Sequence, residues 1–307
     1  MRDERILKTL SGVIVAFNTP MTADGSIDAG AVRRLARCYQ KTGVKGLYLC
    51  GTTGEGLMLT VDERQRVLEA AVEEVGTEMT IIAHIAAIAT RDSIELARHA
   101  AVLGSVDAVS AIPCAYYVLS DEEVRNNWLA ILDSMDLPFI IYNIPGNTNY
   151  NLPMSSFAQM AAIDQVYGIK NTTLNAYQIE QFRRKAGKDF IVYNGPDEQY
   201  LAGRLMGANG GIGGSYGTMP ELFLALERAL MVEQDHAKAY AIQGEINTVI
   251  ERLYACSFCA AAKAVISERF TPIGPPRLPQ SALKAQFIPE IKRLAADIDR
   301  LVGQYSI

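Results

Sequence analysis

PFIIYN at residues 138–143 and VYGIK at residues 166–170 are the stretches that decide the fold. Each is a short apolar run that closes on a polar side chain. A run of that length suits a strand buried on both faces, as in a parallel sheet, better than a strand with one wetted face. The same kind of run recurs upstream as GVIVAF (12–17), GLYLC (46–50), TIIAHI (80–85) and DAVSAI (107–112), and downstream as FIVYN (190–194) and GGIGG (210–214). Helical patterns lie between the runs, with start signals at Asp28, Asp62 and Ser120. Eight strand–helix units predict an α/β chain folded as a closed parallel (β/α)8 TIM barrel.

Beyond the eighth strand, Pro220 opens another helical stretch, and a long amphipathic run extends from about Glu233 to Glu268. The Pro-rich break TPIGPPRLP (271–279) leads to a last helix from about Ser281 to Val302. The expected organisation is a barrel over residues 1–232 and a helical C-terminal extension over residues 233–307, packed on the barrel.

With 49% hydrophobic residues, 307 residues can bury a large core without a disulfide or cofactor to staple it. A net charge of −5 with scattered basic residues argues against nucleic acid as a partner, which would need a clustered basic surface. The start, MRDERILKTLSG, is charged and has no sustained apolar core, and no apolar run is long enough to span a bilayer. The five cysteines are odd in number and lack framework spacing; Cys256 and Cys259 form a C-x-x-C inside an Ala-rich helical stretch and read as structural thiols. The three histidines show no metal-binding spacing, so no metal is expected. A reduced, cytoplasmic, soluble protein is the expectation.

Chemistry on a barrel sits at the carboxyl ends of the strands. Here those ends carry Thr19, the Gly51–Glu55 loop, the stretch after His84, residues 113–117, Tyr142 and Asn143, Lys170, residues 194–198 and residues 213–216. Of the chain's lysines, Lys170 alone closes a barrel strand; Lys45 precedes the second strand, at the wrong end. Burial disfavours an ammonium relative to the neutral amine, which can attack a ketone and form an imine that acts as an electron sink. The alternative is a lysine paired for structure with an acid such as Glu55. The Gly51-Thr52-Thr53-Gly54-Glu55 loop can turn N–H groups and two hydroxyls toward a carboxylate, or it is a ligand-free βα turn. Tyr142, at the end of the fifth strand, is placed either to relay protons or simply to cap the strand.

In order along the chain, GTTGE (51–55), YNIP (142–145), GIKNT (168–172), NGPDE (194–198) and GANGGIGGSYG (207–217) resemble the N-acetylneuraminate lyase / dihydrodipicolinate synthase superfamily of class I pyruvate aldolases. The resemblance covers nearly the whole chain. It implies that Lys170 forms the Schiff base, that Tyr142 shuttles protons, and that Thr52 and Thr53 hold the pyruvate carboxylate. It also implies no cofactor beyond the imine, and a homotetramer in which Tyr116 (or Tyr117) reaches a neighbouring subunit's site.

The lyase branch is the closer one over NGPDEQYLAGRLMGANGGIG, where Gly195, Asp197 and Glu198 match contacts to a hydroxylated tail, as does Thr172; Ser215, which immediately follows the position of a contacting serine, is expected to serve with them. The synthase branch usually has an arginine where Asn147 stands. The chain departs from the lyase pattern at Thr52 and Gly214, each in place of a serine, and at Ala86 and Ala87. The implied activity is an N-acetylneuraminate lyase-like cleavage of a 2-keto acid to pyruvate and an aldehyde. Dihydrodipicolinate synthase or a 2-keto-3-deoxy sugar acid aldolase are the alternatives within the family, and a non-catalytic keto-acid binder the alternative outside it.

Overall fold

The computed structural model describes residues 2–305. Eight parallel strands close in chain order into one barrel: β1 (Gly12–Ala16), β2 (Gly46–Leu49), β3 (Thr80–His84), β4 (Ala108–Ala111), β5 (Phe139–Asn143), β6 (Val166–Asn171), β7 (Ile191–Asn194) and β8 (Gly210–Gly213), with β8 pairing back onto β1. Each strand is buried almost along its whole length because side chains fill the barrel inside and helices cover it outside, which is why the sequence shows continuous apolar runs instead of alternation. The TIM barrel expected from those runs is the observed fold.

The register of β5 against β6 places Tyr142 opposite Lys170. Register partners on parallel strands project to the same side, so the barrel itself brings this phenol and this amine together.

Helix starts follow local capping chemistry, with one correction. Asp28 and Ser120 cap the helices Ala29–Thr42 and Asp121–Leu132 as expected. The helix Val61–Val75 is capped by Thr60, not by Asp62. Thr60 stands three residues before Glu63, and the two exchange side-chain bonds in a capping box that Asp62 is too late to make.

The long run expected over 233–268 is also corrected. It is two helices, His236–Ala255 and Phe258–Arg269, separated at Ser257, whose φ of 71° is left-handed. The final helix begins later than expected, at Ile288, and runs to Tyr305, burying Ile291, Leu294, Ile298 and Leu301. The helix Pro220–Met231 packs on His236–Ala255, so the C-terminal helices continue the outer helical layer. Among the described residues no helix is long and apolar enough to cross a membrane.

Candidate active site

Lys170 sits one residue from the end of β6 and is only 5% exposed. Its Nζ lies 4.0 Å from the centroid of the Tyr142 ring and 4.9 Å from that of Tyr48. The amine is therefore held against two aromatic rings. The structural alternative for Lys170 does not arise: Glu55 is bonded to Lys263 Nζ at 2.9 Å.

Tyr142 is the phenol beside that amine. Burial alone would push it up, but the Lys170 cation, aided by the hydroxyls of Thr52 and Thr172, more than offsets this and leaves it below the usual tyrosine value. The Thr52 hydroxyl lies 3.4 Å from the Tyr142 oxygen. Tyr48 shows the contrast. Its ring meets Tyr142 edge-on at 5.9 Å, yet burial and then the Tyr142 charge push its phenol well above the usual value, and it donates to Ser110 Oγ at 3.0 Å. Of the two phenols, only Tyr142 is poised to exchange a proton.

His84, at the end of β3, closes the other side of Tyr142, with ring centroids 5.9 Å apart. Burial and then the Arg64 charge hold its imidazole well below the usual value, so it is neutral. Its Nδ1 lies 3.0 Å from the Cys50 carbonyl, which can only accept, so Nδ1 carries the proton. The bond ties β3 to the residue just before the Gly51–Glu55 loop.

That loop needs its glycines. A Cβ on Gly54 would lie 2.7 Å from the Phe17 carbonyl oxygen, and one on Gly56, just after the loop, 1.8 Å from that of Cys50, so glycine lets the chain fold back there. The tight return leaves Thr52 and Thr53 on the wall of a cavity of about 680 Å³ that also receives Lys170 and Tyr142.

The same cavity is also lined by Thr172, Gly195, Asp197 and Glu198. A side chain at Gly195 would meet the Thr172 hydroxyl at 2.1 Å, so glycine keeps that hydroxyl clear. Asp197 is 7% exposed and accepts from the Ser215 N–H at 2.6 Å. Burial pushes its carboxyl up to about 6, against the lowering effect of Ser215. Helix His236–Ala255 fixes the same turn from behind: Gln243 donates to the Asp197 carbonyl at 3.2 Å and Asn247 to that of Glu198 at 3.1 Å.

The structure thus brings together Lys170, Tyr142, Thr52, Thr53, Thr172, Gly195, Asp197 and Glu198. It leaves two of the expected residues outside the cavity wall. Ser215 is buried behind Asp197, and its backbone holds that carboxylate; Gly214 reaches the wall instead. Tyr116 is 82% exposed, with a left-handed φ of 83°, and stacks edge-on with Tyr117 at 5.1 Å.

Sequence reasoning missed the far wall, which includes Ile250, Tyr254, Phe258, Cys259 and Gln280. The one available signal was the C-x-x-C, read as structural. Burial, with Glu55 nearby, pushes the Cys259 thiol up to about 12, so it serves as a wall and not as a nucleophile. Among the described residues no cluster of three His, Cys, Asp or Glu side chains is placed to hold a metal ion.

Residues 9–298 match the model of the dihydrodipicolinate synthetase family. The chain is 39% identical to the N-acetylneuraminate lyase of Mediterraneibacter gnavus over 85% of this chain and 82% of that one. It is 36% identical to the N-acetylneuraminate lyase of an Enterobacter species over 95% and 98% of the two chains. Among solved structures, a catalytic lysine mutant of the Ruminococcus gnavus sialic acid aldolase superposes with a TM-score of 0.96 at 35% identity, covering 99% of this chain and all of that one.

Proposed function

The chain belongs to the dihydrodipicolinate synthetase family and is a lyase of the class I aldolase type; we propose that it cleaves N-acetylneuraminate, or a close polyhydroxylated 2-keto acid, to pyruvate and N-acetylmannosamine or the matching aldehyde. The observation that carries this reading is the buried Lys170–Tyr142 pair lining a cavity far larger than pyruvate needs, with Asp197 and Glu198 lining the same cavity. Carboxylates accept hydroxyl hydrogen bonds, which suits a polyol tail.

Lys170 attacks the keto carbon and, with loss of water, forms a protonated imine. Thr52 and Thr53 hold the adjacent carboxylate through hydroxyl and backbone groups. Tyr142, as phenolate, takes the proton from the hydroxyl on the far carbon of the bond to be cleaved. That bond breaks, the electron pair passes into the imine, and an enamine of pyruvate and a free aldehyde result. Protonation of the enamine carbon and addition of water release pyruvate and restore the amine. The imine serves as the electron sink, so this reading needs no cofactor.

A dicarboxylate partner of the kind a synthase takes is disfavoured by Asn147, which stands on the cavity wall without the charge of an arginine. The exposed Tyr116–Tyr117 pair supports a homotetramer in which this segment reaches a neighbouring copy. A cytoplasmic location belongs to the same reading, as does a division between a barrel over residues 1–232 and a helical extension beyond it. The test is a panel of N-acetylneuraminate, 2-keto-3-deoxy sugar acids and aspartate semialdehyde with pyruvate, assayed for pyruvate release or consumption. Release from N-acetylneuraminate with the highest kcat/KM is expected; preferred consumption of pyruvate with aspartate semialdehyde would overturn the assignment.

A further inference from the structure

The Glu55 carboxylate is buried with no side-chain exposure, and its cation, Lys263, is 1% exposed. Lys263 lies in the helix Phe258–Arg269, more than two hundred residues from Glu55 in sequence. Besides Glu55 at 2.9 Å, its Nζ donates to the Pro275 carbonyl at 2.9 Å. The second carboxylate oxygen accepts from the Arg277 N–H at 2.6 Å. Glu55 itself holds a left-handed φ of 59°, and its own N–H closes the turn onto the Thr52 carbonyl at 3.1 Å.

Three pieces of the cavity wall meet at this one carboxylate. The loop brings Thr52 and Thr53, the helix brings Phe258 and Cys259 in its first turn, and the segment after Arg277 brings Gln280. A buried ion pair is weak evidence for stability, since well-packed apolar replacements are often as stable. Its presence here calls for a different reason, and the geometry supplies one.

We propose that Glu55 and Lys263 are positioning residues, which clamp the Thr52–Thr53 turn against the C-terminal helices and so set the carboxylate subsite at the correct distance from Lys170. The inference rests on the Schiff-base reading of Lys170. It makes the C-terminal helices a working part of the keto-acid site, not only a wall for the aldehyde.

The test measures how much pyruvate is needed to half-label Lys170 under borohydride, alongside Tm, in four proteins and a control. Lys263→Met and Glu55→Gln each leave a lone buried charge and should lower Tm by several degrees. The double variant Glu55→Gln/Lys263→Met removes both charges and should recover most of that Tm. It should still need roughly ten to a hundred times more pyruvate than the wild type, because a subsite displaced by about an ångström loses that much. Lys263→Arg, which keeps the cation, should label at pyruvate concentrations closer to wild type than Lys263→Met does. A double variant with recovered Tm and wild-type pyruvate dependence would overturn the clamp, as would equal dependence in Lys263→Arg and Lys263→Met. Wild-type protein that labels at no pyruvate concentration would instead overturn the Schiff-base reading, and this inference with it.

Discussion

At one end of the cavity, Lys170 and Tyr142 stand on adjacent strands as register partners; at the other, Tyr254, Phe258 and Gln280 arrive from helices and a connecting segment far down the chain. The first pair owes its geometry to the barrel, where hydrogen-bonded register leaves little freedom. The second group owes its position to packing between helices and to a few long-range bonds such as those of Gln243, Asn247 and Lys263. Substitutions on the strands should therefore remove the chemistry for every substrate, and substitutions of the rim side chains that line the cavity should change which substrates are accepted.

The largest effect should come from Tyr142→Phe. It keeps the ring against Lys170 and removes only the phenolic hydroxyl, so kcat should fall by about 10²–10⁴-fold for all substrates of the panel. A uniform loss sharpens the contrast between strand and rim. A loss confined to one aldehyde partner would break it, by showing that Tyr142 reads the substrate instead of moving its proton.

Asp197→Asn should act more selectively, lowering kcat/KM about tenfold for the most hydroxylated substrate and less for shorter ones, since it weakens a charge-assisted hydrogen bond. It also carries a pH signature. The native carboxyl is pushed up from 3.8 to about 6, so the folded state holds its proton more tightly than the unfolded one. That stabilisation is fully present below pH 3.8 and is lost as pH rises through about 6. The asparagine variant should match wild-type stability near pH 3 and exceed it by about 3 kcal/mol above pH 7. Thermal unfolding at both pH values checks the sign; a variant less stable at pH 8 would mean that the charged form is held by more than the Ser215 N–H.

The same contrast explains what could be read from the chain. The eight strands were legible because burial on both faces writes itself into local apolar runs, and Lys170 was legible because it closes one of them. Thr60 was misjudged in favour of Asp62 although the capping box with Glu63 was there to be found. Ser257 could not be read: no glycine or proline marks the break, and a serine takes a left-handed φ there in the packed fold. Phe258, Cys259 and Gln280 look like ordinary helix and loop residues, and only the path of the C-terminal helices over the barrel mouth brings them to the cavity. The Glu55–Lys263 pair was invisible for the same reason, its partners being linked by tertiary structure alone.

The central claim is that Lys170 forms an imine with a keto acid. Incubation of the folded protein with pyruvate and borohydride, followed by peptide mass analysis, tests it directly. The account predicts one reduced pyruvate adduct, on the peptide that carries Lys170, and none in Lys170→Met. Folded wild-type protein that stays unlabelled, or that carries the adduct on another lysine, would contradict it.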